Sequence, residues 1–146
     1  MKTKSLLSLA VALCAAAFVH AEKVVAGPAG GRLLEAEPLR AEFVVNAARR
    51  AEIRFYDTAL QPAVRTTQEV AVTAEPPGGR VKLEVEQTGF GFATKEALPA
   101  AAEPYRVVVQ LRAAPGAKPQ NFRIDLNLGH CGGCDRAEYA CTCESH

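Results

Sequence analysis

Hydrophobic and polar residues alternate with a period of two along most of this chain. Ala41, Phe43 and Val45 share one face of the stretch 40–46. Between Arg50 and Asp57, Ala51, Ile53 and Phe55 lie opposite Glu52 and Arg54. The rhythm returns at Val70, Val72 and Ala74, and again at Val81, Leu83 and Val85 against Lys82, Glu84 and Glu86. It recurs at Tyr105, Val107, Val109 and Leu111, and at Phe122, Ile124, Leu126 and Leu128. Side chains of a strand point alternately to its two faces, so each run predicts a strand with one buried face. Gly89-Phe90-Gly91-Phe92 reads as a short, kinked strand. Gly27-Pro28-Ala29-Gly30-Gly31 and Pro76-Pro77-Gly78-Gly79 are turn signals.

No stretch shows a convincing helical period. The alanine-rich segments Ala97–Ala102 and Ala113–Ala117 have the composition of helices, but Pro99, Pro104 and Pro115 interrupt or bound them. Proline removes a backbone donor and clashes with the preceding turn, so both segments are expected as loops. About seven or eight short strands separated by Gly/Pro turns predict an all-β fold, an immunoglobulin-like antiparallel β-sandwich. A short cysteine-rich tail follows it. The expected divisions are 1–21, 22–128 and 129–146.

The first division has the three parts of a secretory signal. Lys2 and Lys4 precede an apolar run from Leu6 to Val19, and Val19-His20-Ala21 offers a cleavage site before Glu22. The run falls short of the ~20 residues a membrane-spanning helix needs, so cleavage is expected rather than anchoring. Cys14 follows Leu13, where lipid attachment wants a small residue, and the apolar run continues past it. It reads as part of the discarded signal. The expected compartment is outside the cytoplasm, the periplasm first, with no membrane span after cleavage.

Charge adds exclusions. Taking Lys2 and Lys4 from the 17 basic residues leaves 15 against 16 acidic ones, and no basic patch points to nucleic acid. A Ser/His/Asp triad finds no support, because His130 and His146 are the only histidines after the signal and both sit in the tail. The glycine turn at 27–31 lacks the lysine and following helix of a phosphate loop. Glu84 and Glu86 fall on an outward strand face and read as solvated surface. The expectation is a non-enzymatic protein.

Several short motifs carry a resemblance. Gly27-Pro28-x-Gly30-Gly31-Arg32-Leu33-Leu34, Ala41-Glu42-Phe43-Val44-Val45, Phe55-Tyr56-Asp57 and Gln61-Pro62 resemble a small envelope β-domain of Gram-negative exported proteins. Some of these domains are linked to metal-efflux adaptor subunits. The resemblance spans roughly residues 24–128 and implies a β-domain, an envelope location and an envelope protein partner. Metal-associated members carry histidine inside the glycine motif and before the Ala-Glu pair. Here those places hold Ala29 and Arg40, which cannot replace a neutral imidazole. No ligand on the sandwich is therefore implied.

The tail holds the candidate chemistry. Cys131, Cys134, Cys141 and Cys143 follow a C-x2-C-x6-C-x-C spacing, with His130 before the first cysteine and His146 after the last. A Cys-x2-Cys turn can wrap one ion, because its free amides point at the sulfurs and Gly132-Gly133 permits the turn. Asp135 to Ala140 is expected to make one helical turn that folds the second pair back on the first. The four thiolates, with either histidine as substitute, suit Zn(II), Cu(I) or an iron–sulfur centre. Four sulfurs leave no open position for hydrolysis, and a thioether copper site is excluded because Met1 is the only methionine.

Two other readings of the tail stay open. An exported chain with an even number of cysteines forms disulfides by default, pairing Cys131 or Cys134 with Cys141 or Cys143. The third reading is thiol–disulfide exchange at Cys131/Cys134. It lacks the long helix whose dipole would lower a cysteine pKa.

Overall fold

The computed structural model describes residues 23–63 and 67–143; the predicted signal and His146 lie outside these. Among the described residues ten strands form two antiparallel sheets. They are β1 (Val25–Ala26), β2 (Arg32–Leu34), β3 (Arg40–Val45), β4 (Ala51–Tyr56) and β5 (Glu69–Glu75). β6 (Val81–Leu83), β7 (Val85–Thr88), β8 (Gly91–Thr94), β9 (Tyr105–Arg112) and β10 (Gln120–Leu126) complete the set. One sheet has the order β1-β2-β3-β4-β8-β7 and the other β10-β9-β5-β6. The predicted β-sandwich is present.

Register explains the core. In the first sheet Ala41 pairs with Phe55 and Phe43 with Ile53. In the second, Val72 pairs with Val109 and Ala74 with Val107, while Ile124 lies opposite Val107 and Leu126 opposite Tyr105. Phe43, Ile53, Val72, Val107, Val109, Ile124 and Leu126 are fully buried. The alternation thus places one apolar face of each sheet against the other. The alanine-rich segments are loops, as their prolines dictate.

The strand count exceeds the expected seven or eight for two reasons. β1 and β2 are two and three residues long, too short for a period of two to register. The run Val81–Val85 is divided between sheets: β6 pairs with β5, whereas β7 pairs with β8. The chain changes sheets at Glu84, whose carbonyl accepts the Lys95 N–H at 2.8 Å. The stretch read as one kinked strand at 89–92 is the turn of the β7–β8 hairpin together with the start of β8. Glu84 and Glu86 are exposed and paired with Lys95 and Arg50.

Glu42 breaks the alternation rule. It lies on the face of β3 opposite Ala41 and Phe43, yet it is fully buried. The β1–β2 turn folds over it. Oε1 accepts the Ala29 N–H at 3.0 Å and the Gly31 N–H at 2.7 Å, and Oε2 accepts the Tyr56 hydroxyl at 2.8 Å. A Cβ at Gly27 would lie 2.2 Å from the Glu42 carboxyl carbon, so glycine is required for the turn to close. Burial and this hydrogen bond push the Tyr56 hydroxyl up to about 12. The motifs Gly27–Gly31, Ala41–Val45 and Phe55–Asp57, far apart in sequence, meet in this one cradle.

Candidate metal centre

The closing segment leaves β10 and folds back by backbone pairing. Asn127 Oδ1 accepts the Gly129 N–H at 2.9 Å. The Gly129 carbonyl accepts the Glu138 N–H, and the Arg136 carbonyl accepts the Cys131 N–H, both at 2.8 Å. His130 and Ala137 form an antiparallel bridge. Residues 132–135 are therefore the loop of a miniature hairpin, with Gly132 and Gly133 exposed.

The expected helical turn is a three-residue 3-10 turn, Glu138–Ala140. It returns the chain so that Cys141 arrives against Cys131. The turn is also attached to the sandwich. Tyr139 packs edge-on against Phe43, with ring centroids 5.5 Å apart, and its hydroxyl accepts the Val45 N–H at 3.0 Å. Ala140 is fully buried beside it. This anchor escaped the sequence reading because its partner lies on a distant strand; the one local signal is an aromatic residue between the two cysteine pairs.

The four sulfurs converge. The Sγ atoms of Cys131, Cys134, Cys141 and Cys143 all lie within 4.8 Å of one another. Cys134 and Cys141 are 3.7 Å apart, Cys131 and Cys143 3.9 Å, and Cys131 and Cys141 2.6 Å. A tetrahedral ion with bonds of about 2.3 Å to sulfur sets its ligands about 3.8 Å apart. Two of these edges already have that length, and no pair is at disulfide bond distance, about 2.05 Å. Cys131 and Cys141 would separate by about 1 Å to complete the tetrahedron.

The backbone prepares the sulfurs as acceptors. The Gly133 amide donates to the Cys131 sulfur, two residues before it. The Cys143 amide approaches the Cys141 sulfur at 3.4 Å in the same relation. The Cys141 thiol, followed by the Gly133 amide, draws the Cys131 pKa down to about 6. The shared proton correspondingly pushes Cys141 up to about 12. A Cβ at Gly133 would sit 2.8 Å from the Cys143 sulfur, so a side chain there would push that sulfur aside.

Of the predicted ligands, the structure brings together the four cysteines. His130 is exposed and enters the segment through its backbone bridge, and its ring is not part of the sulfur group. His146 lies outside the described residues. A surface recess of about 940 Å³, lined with mixed charge by Glu35, Glu37, Arg40 and Lys118, shares no residue with the cluster. Among the described residues no helix is long and apolar enough to cross a membrane. No protein-family model, curated protein or solved structure matches the chain.

Proposed function

We propose that this is an exported, non-enzymatic β-sandwich protein that carries one soft metal ion, Zn(II) or Cu(I), on its four closing cysteines. Its role is metal handling in the envelope, the periplasm first, with an envelope protein as partner. The observation that carries the metal reading is the convergence of four sulfurs within 4.8 Å, two of their edges matching a tetrahedron. Such spacing suits a single ion at the centre. A multi-iron cluster places its own iron and sulfide between the cysteines and requires them wider apart, which argues against that alternative. The leader-like first segment and the envelope β-domain resemblance support the compartment.

One observation favours a second reading. The sulfurs of Cys131 and Cys141 are 2.6 Å apart, nearer than the other two recorded sulfur contacts. In an oxidising compartment that pair would close first, leaving Cys134 and Cys143 to form the second disulfide.

One preparation separates the two. The protein is purified from the exported fraction without chelator, and its metal content and intact mass are measured before and after thiol alkylation. One metal per chain, with four thiols alkylated only after chelation, is the expected result. A metal-free protein four hydrogens lighter than the reduced chain would overturn the metal reading. Recovery of the whole chain with the first segment intact in the cytoplasm would overturn export.

A further inference from the structure

The four sulfurs are not equivalent. Cys131 is fully buried and Cys141 nearly so, whereas Cys134 and Cys143 are half-exposed. The cluster therefore has a buried inner edge, Cys131 and Cys141, and an outer edge, Cys134 and Cys143, facing solvent. Among the described residues, those flanking the outer edge leave it uncovered. Gly132, Gly133, Asp135 and Thr142 are exposed, and a Cβ added at Gly132 would meet nothing within 4 Å. At Gly133 the absence of a side chain keeps the Cys143 sulfur reachable. A purely structural ion has no need of such an opening; a site with one buried and one bare edge can exchange its cargo from the bare side.

We propose that the cluster is a transfer site that passes its metal ion through the Cys134–Cys143 edge to an acceptor bearing a vicinal dithiol. This rests on the metal reading above. The acceptor must offer soft sulfur donors, because the ion leaves thiolates and hard oxygen ligands compete poorly for it. It must offer two, because two exposed sulfurs have to be replaced before the ion can leave the buried pair. In each replacement an acceptor sulfur bonds the metal as one cysteine Sγ–metal bond breaks. The acceptor's thiol proton passes to the released cysteine, so charge and protons balance. The two sulfurs of one dithiol replace Cys134 and Cys143 first, and a second dithiol then replaces Cys131 and Cys141 in the same way, so that four metal–sulfur bonds form as four break. No electron is transferred.

The experiment uses the full-length exported protein loaded with zinc. Metal per chain is measured first, so that failure to bind zinc, which overturns the metal reading as well, is distinguished from failure to transfer it. Zinc loss is then followed against dithiothreitol, a Cys-x-x-Cys peptide, and glutathione at equal thiol concentration. Release is expected to rise in proportion to acceptor concentration. Either dithiol should act about tenfold or more faster than the monothiol, because its second sulfur binds intramolecularly. A peptide faster than dithiothreitol identifies a protein acceptor, and the reverse a small dithiol; both outcomes support a dithiol acceptor. A rate independent of acceptor, or equal for dithiol and monothiol, would overturn the transfer while leaving zinc binding intact. As a second readout, limiting maleimide on the zinc-loaded protein should label Cys134 and Cys143 first. Prior labelling of Cys131 or Cys141, or equal rates at all four, would overturn the directional route.

Discussion

The turn at Gly27–Gly31 and the turn at Cys131–Cys134 use the same local device. Each is glycine-rich, each presents backbone N–H groups to an acceptor, and each is crowded enough that a Cβ at one glycine would strike that acceptor or its neighbour. They differ in how the acceptor is satisfied. Glu42 receives the amides of Ala29 and Gly31 and the Tyr56 hydroxyl, all from within the chain. The cysteines receive the Gly133 and Cys143 amides and face one another. A carboxyl group surrounded by donors is complete; four sulfurs surrounding one point are complete when a cation occupies it. The first turn therefore belongs to the fold, and the second is where the proposed metal function lies.

The largest test of that division is Glu42→Ala. It leaves the amides of Ala29 and Gly31 and the Tyr56 hydroxyl without their acceptor in a buried place, a loss of about 3–5 kcal/mol. Denaturant unfolding measures it. Zinc stoichiometry of the folded fraction should not change. A loss below about 1 kcal/mol would show that water reaches the cradle and replaces the carboxyl group.

The complementary change is at the other turn. Zinc should raise the unfolding free energy of the native chain by about 3 kcal/mol when free metal is a hundredfold above Kd. Cys131→Ser should abolish that increment while leaving the metal-free protein close to its parent. Calorimetry with and without zinc decides this, and an undiminished increment in the variant would move the ion elsewhere. In the metal-free protein, thiolate absorbance should show its first step near pH 6, from Cys131. Cys141→Ala should move that step upward, because the neighbouring thiol is the main cause of the depression.

Tyr139 joins the two regions, so Tyr139→Phe probes whether they are coupled. The ring contact with Phe43 survives, but the Val45 N–H loses its acceptor, at a cost of about 1 kcal/mol. Zinc-dependent stabilisation should be retained within error. Zinc affinity falling together with stability would make the hydroxyl part of the site's support rather than only of the sheet.

How much of this was legible in the sequence follows from where each partner lies. Ile53 with Phe55, and Val107 with Val109, announce themselves because half-burial imposes a period of two on neighbouring residues. The cysteine cluster is legible for a similar reason, since its sulfurs are drawn from one short segment. Glu42 is not: its cover is a turn folding over the outer face of β3, so it looks like the surface acid its spacing suggests. The sheet change at Glu84 is hidden because alternation continues through it while the hydrogen-bonding partners change. Tyr139 is hidden because Phe43 and Val45 lie on a strand formed much earlier in the chain. His130 is the opposite case: nearness in sequence to Cys131 does not bring its ring into the sulfur group, because side chains of successive residues in the extended bridge to Ala137 point to opposite faces.

The smallest effect isolates Tyr56, the side-chain donor of the cradle among the described residues. Its hydroxyl is held up to about 12 by burial first and by its hydrogen bond to Glu42 second, against about 10 in an unfolded chain. Between those values the unfolded state has lost the proton and the native state keeps it. The native protein thus binds more protons, and stability falls as pH rises. The contribution is whole below pH 10 and is lost as pH climbs towards 12. Tyr105 and Tyr139 are also raised and lose stability in the same direction, so the wild-type curve alone cannot assign the effect. Tyr56→Phe keeps the other two. The stability difference between wild type and variant should therefore shrink steadily above pH 10, read from urea unfolding at closely spaced pH values. If it instead stays constant, the Tyr56 hydroxyl titrates alike in both states. The cradle would then be open to solvent on that side, and the contrast with the half-exposed sulfurs would lose its sharpest term.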